Sequence, residues 1–273
     1  MNNDNDTHML DSPASIEKLV WIMSKLRDPE QGCPWDLKQS YKTIVPYTLE
    51  EAFEVAEAIE NQDYQELEKE LGDLLFQVVF YARLAEEEQR FAFNDIIVAI
   101  CEKLIRRHPH VFAQAEFADE QAIKANWEEE KAKERKQKNS QTSLLSDIPK
   151  ALPALSQAAK IQKRVAHVGF DWDNIHDVLA KIKEEVAEVE HELAQTTVNQ
   201  QALLEEIGDL LFATVNLARH AKGDPEQALR QANQKFTRRF QYIEAYHQQH
   251  QLDIKQSSLA FLEELWQQAK QQG

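Results

Sequence analysis

Glycine is scarce, with 6 in 273 residues against about 7% in an average chain. No glycine precedes a lysine, so there is no Walker A loop, no G-x-G opens a nucleotide-binding turn, and Gly-rich phosphate loops are disfavoured. The same shortage disfavours a many-turned β architecture. Cysteine is nearly absent: Cys33 and Cys101 are too few for a disulfide framework and fit a reducing compartment. No apolar run approaches the roughly 20 residues needed to cross a bilayer. The first residues, Met1 to His8, are polar and acidic, unlike a secretory leader. Positive charge is in deficit, with 31 lysines and arginines against 47 acidic residues and a net charge of −16. Such a chain offers no overall counter-charge to a nucleic-acid backbone, though this leaves room for a local basic site. The expectation is a soluble, acidic, cytoplasmic protein with neither membrane nor nucleic acid as its main partner.

What is present is helical periodicity. Ala52, Val55, Ala56 and Ile59 fall on one stripe of Leu49 to Ile59, and Leu71 to Leu84 and Ile96 to Ile105 show similar spacing. β-branched alternation never persists, so the chain reads as all-α. Asp28-Pro29, Cys33-Pro34, Val45-Pro46 and His108-Pro109 predict breaks in the first half. The charged, glutamine-rich stretch after Glu128 leads into Ser146-Asp147-Ile148-Pro149, which reads as a helix start. These signals predict a first domain over 1–135, a linker over 136–147 and a second domain over 148–273.

The two halves repeat one another. Gly32-Cys33-Pro34-Trp35-Asp36 is answered by Gly169-Phe170-Asp171-Trp172-Asp173, and Glu50-Glu51-Ala52-Phe53-Glu54 by Glu184-Glu185-Val186-Ala187-Glu188. Glu70-Leu71-Gly72-Asp73 returns as Glu206-Ile207-Gly208-Asp209. Ala82-Arg83 matches Ala218-Arg219, and Lys103-x-x-Arg106-Arg107 matches Lys235-x-x-Arg238-Arg239. Matched blocks in one order, about 134 residues apart, identify a tandem duplication of one helical unit.

The repeated acids demand an explanation. At about 100° per residue, Glu184, Glu185 and Glu188 share one arc of a helix, where like charges repel. Glu206 and Asp209 lie one turn apart, beside Ala202, Leu203, Leu210 and Ala213. Burying unpaired carboxylates there is costly unless a cation compensates. A hard divalent ion, with magnesium the usual partner of phosphates, resolves both problems. Gly208 sits in mid-helix, where a missing side chain would let a neighbouring helix approach closely. A solvated acidic face is the plainer reading. It keeps some force in the first half, where Glu66, Glu70, Asp73 and Gln77 form a continuous polar stripe.

E-E-x-x-E followed on the next helix by E-x-x-D resembles the signature of MazG-type nucleoside triphosphate pyrophosphohydrolases. The likeness extends to Gly32-Cys33-Pro34-Trp35-Asp36, to Arg106-Arg107-His108-Pro109-His110-Val111-Phe112, to Val168-Gly169-Phe170-Asp171-Trp172 and to the tandem form. It implies an all-α fold of tandem duplicated four-helix-bundle-type domains, commonly dimeric. The implied reaction is nucleoside triphosphate plus water giving monophosphate and pyrophosphate, with Mg²⁺. By this resemblance Glu185, Glu188, Glu206 and Asp209 would ligate magnesium in the second domain, and Glu51, Glu54, Glu70 and Asp73 in the first. Lys181, Glu184, Glu205, Lys235, Arg239 and Trp266 resemble nucleotide-binding positions, with Glu184 and Glu185 as the catalytic carboxylates. A triphosphate brings about four negative charges, so cations beside the carboxylates are needed as well as metal.

The halves are not equal. Tyr47 stands where the second half has Lys181, and after Trp127 the first half runs into a charged stretch. The second domain is therefore expected to carry most of the hydrolysis. Glu188-x-x-His191 alone does not make a di-iron site, since the first half has Glu57 at the matching position. Trp35 and Trp172 are expected to pack over their bundles. The alternative from another class is a non-catalytic acidic helical scaffold that binds protein partners and keeps the acids as relics.

Overall fold

The computed structural model describes residues 3–138 and 143–271. Its contacts divide the chain into two compact units, Met1–Lys133 and Glu134–Gly273. Every regular element among the described residues is a helix, and none is a strand.

In the first unit, α1 (Asn3–Asp11), α2 (Ile16–Leu26) and the single turn α3 (Pro34–Leu37) precede a long hairpin of α4 (Tyr41–Glu60) and α5 (Tyr64–Glu87). Then come α6 (Phe93–Arg107), the turn α7 (Pro109–Phe112) and α8 (Glu120–Lys138), whose last residues lie past Lys133. Ser40 caps α4 in a reciprocal box with Thr43, and Asp63 caps α5 by accepting from the N–H groups of Gln65 and Glu66. The connection is only three residues long, with Gln62 at φ 57°. A link that short forces α4 and α5 antiparallel and face to face. Met23, Ile44, Val79, Phe80 and Leu84 form the core where α2 meets this hairpin.

A polar clamp holds the segment between α2 and α4. Arg27, 7% exposed, donates from Nε and Nη2 to the carboxylate of Glu87 and from Nη1 to the carbonyl of Asp36, with its guanidinium over Phe80. The turn beneath it requires Gly32, because a Cβ there would sit 2.5 Å from the carbonyl oxygen of Asp28.

The second unit repeats the plan with α9 (Ala154–Ala166), α10 (Ile175–Leu193), α11 (Gln200–His220), α12 (Pro225–His250) and α13 (Leu259–Gln271), the last preceded by a 3₁₀ turn at Ile254–Gln256. Asn174 and Asn199 cap α10 and α11. α10 and α9 pack on α11, and α12 packs on α9 and α13. Val178, Leu203, Val215, Ile243 and Leu265 are buried between them. Arg219 and His220 both reach the carboxylate of Asp171, tying the loop before α10 to the end of α11.

Several local expectations are corrected. Pro46 lies inside α4 and does not break it; the bond it removes is to the carbonyl of Lys42, on an exposed stretch of the first turns. Ser146-Asp147-Ile148-Pro149 is not a helix start. α9 begins at Ala154, behind Pro153, and Asp147 instead accepts the guanidinium of Arg164 at 2.6 Å. α8 continues to Lys138, into the residues expected to be linker, and 139–142 lie outside the described residues. Trp35 and Trp172 are 49% and 41% exposed, so neither seals a bundle within its own unit.

Candidate metal and nucleotide site

The second acidic hairpin places its carboxylates as helical spacing requires. Glu185 and Glu188 lie one turn apart on α10, and Glu206 projects from the antiparallel α11. One carboxylate oxygen from each of the three falls within 4.8 Å of the others. Glu185 is only 4% exposed. Its Oε1 accepts from Lys181 Nζ at 2.7 Å, while its Oε2 is buried with no hydrogen-bond partner. Lys181 also reaches Glu184 at 2.9 Å. These contacts, that to Glu185 first, hold the Lys181 ammonium well above the ordinary lysine range. The adjoining Glu185 carboxylate, which a protonated Glu188 would meet as a donor, pushes the Glu188 carboxyl upward, with burial and then the charge of Glu185 acting the same way.

Asp209 is exposed on α11 and stands outside the triad. Its apolar sequence neighbours therefore do not bury it; Glu185 is the buried acid. Glu184 is exposed beside Lys181, and Glu205 is exposed with its carboxylate accepting from Gln201 at 2.9 Å.

The first hairpin repeats the triad with Glu51 from α4 and Glu70 and Asp73 from α5, again within 4.8 Å. Glu54 is exposed on α4 outside it, yet its charge acts on both Glu51 and Glu70. No lysine enters this cluster from α4. Tyr47 occupies the corresponding turn, edge-on to Trp35 with ring centroids 5.7 Å apart. Burial, then the charges of Asp73 and Glu54, raises the Glu51 carboxyl; burial, then the charge of Glu54, raises Glu70.

The expected cations on α12 form a separate grouping. Arg239 lies with its guanidinium 5.8 Å from the centre of the Trp266 ring, its Nε buried without a partner. Phe236 packs on Trp266 at 4.9 Å and stacks with Phe240 at 6.2 Å. Lys235 is exposed. Among the described residues no ion pair joins Lys235 or Arg239 to the carboxylate triad. The aromatic pair was missed in the sequence, where its i, i+4 spacing beside Lys235 and Arg239 was the available signal. Among the described residues nothing takes up the room at Gly208, since a Cβ at Gly208 or Gly72 would meet nothing within 4 Å.

A domain model described as the MazG nucleotide pyrophosphohydrolase domain matches residues 39–112 and again 174–243, each match containing one acidic hairpin. The chain belongs to the MazG family. It is 54% identical over 257 residues to a nucleoside triphosphate pyrophosphohydrolase of Escherichia coli strain K12, covering 94% of this chain and 97% of that relative. A Thermotoga maritima protein named nucleoside triphosphate pyrophosphohydrolase/pyrophosphatase MazG is 42% identical, covering 93% of this chain and 95% of the relative. The likeness to a nucleoside triphosphate pyrophosphohydrolase of Mycolicibacterium smegmatis is narrower, 36% identity over 60% of this chain and 49% of that protein.

The donor set of both MazG hairpins suits a hard cation: carboxylate oxygens only, with no thiol or imidazole among them. The buried Oε2 of Glu185, left without a proton donor, is the kind of atom a metal ion satisfies. No described helix is long and apolar enough to cross a membrane.

Proposed function

We propose that this MazG protein hydrolyses nucleoside triphosphates to monophosphate and pyrophosphate with Mg²⁺, chiefly in its second unit. The observation that carries the reading is Glu185, a buried carboxylate with one oxygen unpartnered, grouped with Glu188 and Glu206 from two helices.

Glu185, Glu188 and Glu206 would hold the magnesium ion, with Asp209 one turn along α11 as a further donor. Held there, the ion would supply positive charge to the phosphoryl oxygens and lower the pKa of a water. The chain's own residues do the rest. Glu184, exposed and adjacent, takes a proton from the attacking water. Lys181, Lys235 and Arg239 balance the triphosphate charge. Trp266 with Phe236 offers an aromatic face near the nucleotide, and Glu205 lies one residue before the metal ligand Glu206. In the first unit Glu51, Glu54, Glu70 and Asp73 supply the same donor types, but Tyr47 removes a cation, so triphosphate binds there more weakly. Division of the chain into domains 1–135 and 148–273 belongs to this reading.

The same proposal includes a homodimer. Leu204 and Leu211, seven residues apart on α11, are both 55% exposed, and Leu179 and Val186 repeat that spacing on α10. Apolar seams of this kind are what helices bury against a second copy. The open space over Gly208 lies on the same hairpin.

Product analysis over a panel of nucleoside triphosphates with Mg²⁺ tests the proposal. Pyrophosphate and monophosphate are expected. Glu185→Ala should cut kcat/KM by about 100-fold or more, and Glu51→Ala should leave it nearly unchanged. Orthophosphate as the product would overturn the reaction. A dead Glu51→Ala beside an active Glu185→Ala would reverse the division of labour.

A further inference from the structure

We propose that Lys181 is an exchangeable counter-ion, holding Glu185 in the metal-free site and leaving it when a divalent cation loads. The inference rests on the magnesium reading above and adds an order of events within that site.

A carboxylate as buried as Glu185 is strongly unfavourable without a positive partner. The fold supplies one from its own helix: Lys181, four residues earlier, places Nζ 2.7 Å from Glu185 Oε1. Only one of the two carboxylate oxygens is served, because Oε2 has no partner. The lysine side chain is still 32% exposed, and its ammonium also touches the exposed Glu184 at 2.9 Å. It therefore has a path outward along a flexible four-carbon stem without disturbing the core. A divalent ion among Glu185, Glu188 and Glu206 brings positive charge to the group that the ammonium neutralises. Two cations then compete for one carboxylate, and the mobile one yields. Released toward Glu184 and solvent, Lys181 becomes free for a phosphate oxygen. The first hairpin is the internal contrast: Tyr47 takes the same place relative to Glu51, and no such ion pair reaches its triad from α4.

Two measurements on the full-length chain without nucleotide test the exchange. In the first, wild-type protein is labelled with an amine-reactive ester, with and without Mg²⁺, and the lysines are read by mass spectrometry. Mg²⁺ should raise labelling of Lys181 by about threefold, while the exposed Lys183 on the same helix stays constant. In the second, Mg²⁺ is titrated calorimetrically above neutral pH, with Glu51→Gln and Glu70→Gln in both arms to remove donors from the first hairpin. Adding Lys181→Met should tighten binding about three- to tenfold, since the competing cation is gone. Absence of Mg²⁺ binding in the arm that keeps Lys181 overturns the magnesium reading and the exchange together. Binding with Lys181 labelling unchanged or lowered, or with affinity unchanged or weakened by Lys181→Met, overturns the exchange alone. If Lys181→Met does not fold, the wild-type labelling decides.

Discussion

At the scale of single residues, the two acidic triads differ in how they meet their own repulsion. In the second unit Lys181 lies within the cluster. In the first unit Glu51 and Glu70 remain close together, and their carboxyls are raised by burial and by neighbouring acids. Removing one of those charges should help the metal-free fold. Glu51→Gln is expected to raise the stability of chelator-treated protein by on the order of 0.5 kcal/mol and to lose that advantage when Mg²⁺ is added, both read from thermal melts. A fall in the metal-free melting temperature would count against the repulsion. Arg27 is the opposite case, a buried cation holding together Glu87 and the backbone of Asp36. Arg27→Ala should cost about 3 kcal/mol, visible as a lower denaturant midpoint in urea.

At the scale of helices, caps and hairpins decide where the carboxylates stand. Asn199→Ala removes the acceptor for the N–H groups of Gln201 and Ala202 and should destabilise by about 1 kcal/mol. Because α11 carries Glu206, Mg²⁺ affinity should fall with it, a coupling that calorimetry can read. Much of this level was legible in the sequence. The acids of E-E-x-x-E and E-x-x-D fall on adjacent antiparallel helices because periodicity and spacing dictate it, and the repeat doubled each signal. Burial was harder to read. Ile59 belongs to the expected apolar stripe of α4, yet it is exposed, while Glu185 is among the most buried residues of its helix. Periodicity reports which residues share a face; it does not say which part of that face another helix covers. Pro46 leaves its helix intact for a related reason: proline early in a helix removes a bond near the solvated end, where the loss is small. The Phe236–Trp266–Arg239 grouping depends on α13 folding back onto α12, a long-range event that local patterns do not encode.

At the scale of the whole chain, charge sets the response to pH. Burial pushes Glu87 up, but the Arg27 and Arg83 guanidiniums outweigh it and hold the carboxyl below its usual 4.5. Burial likewise opposes, and Arg219 and His220 overcome it, at Asp171, which lies below its usual 3.8. A depressed carboxyl stabilises the fold above its unfolded value and ceases to do so as pH falls through the folded one. Glu51, Glu70 and Glu188 are shifted the other way, so the folded state binds more protons there and stability declines as pH rises above 4.5. The metal-free protein should therefore melt highest in mildly acidic solution. Saturating Mg²⁺ should move that maximum toward neutrality, as melts across a pH series will show. A maximum that stays put on adding Mg²⁺ would separate the carboxylates from the metal.

The two hairpins are closed differently. Between α4 and α5 the chain has three residues, one left-handed and one serving as the cap; between α10 and α11 it has six, from Ala194 to Asn199, all exposed. The longer bend is a place to write on the protein. A short epitope or a fluorescent reporter inserted between Thr196 and Thr197 leaves every cap bond intact and reports from the end of the hairpin that carries Glu185 and Glu206. The same insertion between Gln62 and Asp63 separates a cap from its approach and opens the bend itself. Natural length variation among related chains should collect at the second bend and spare the first.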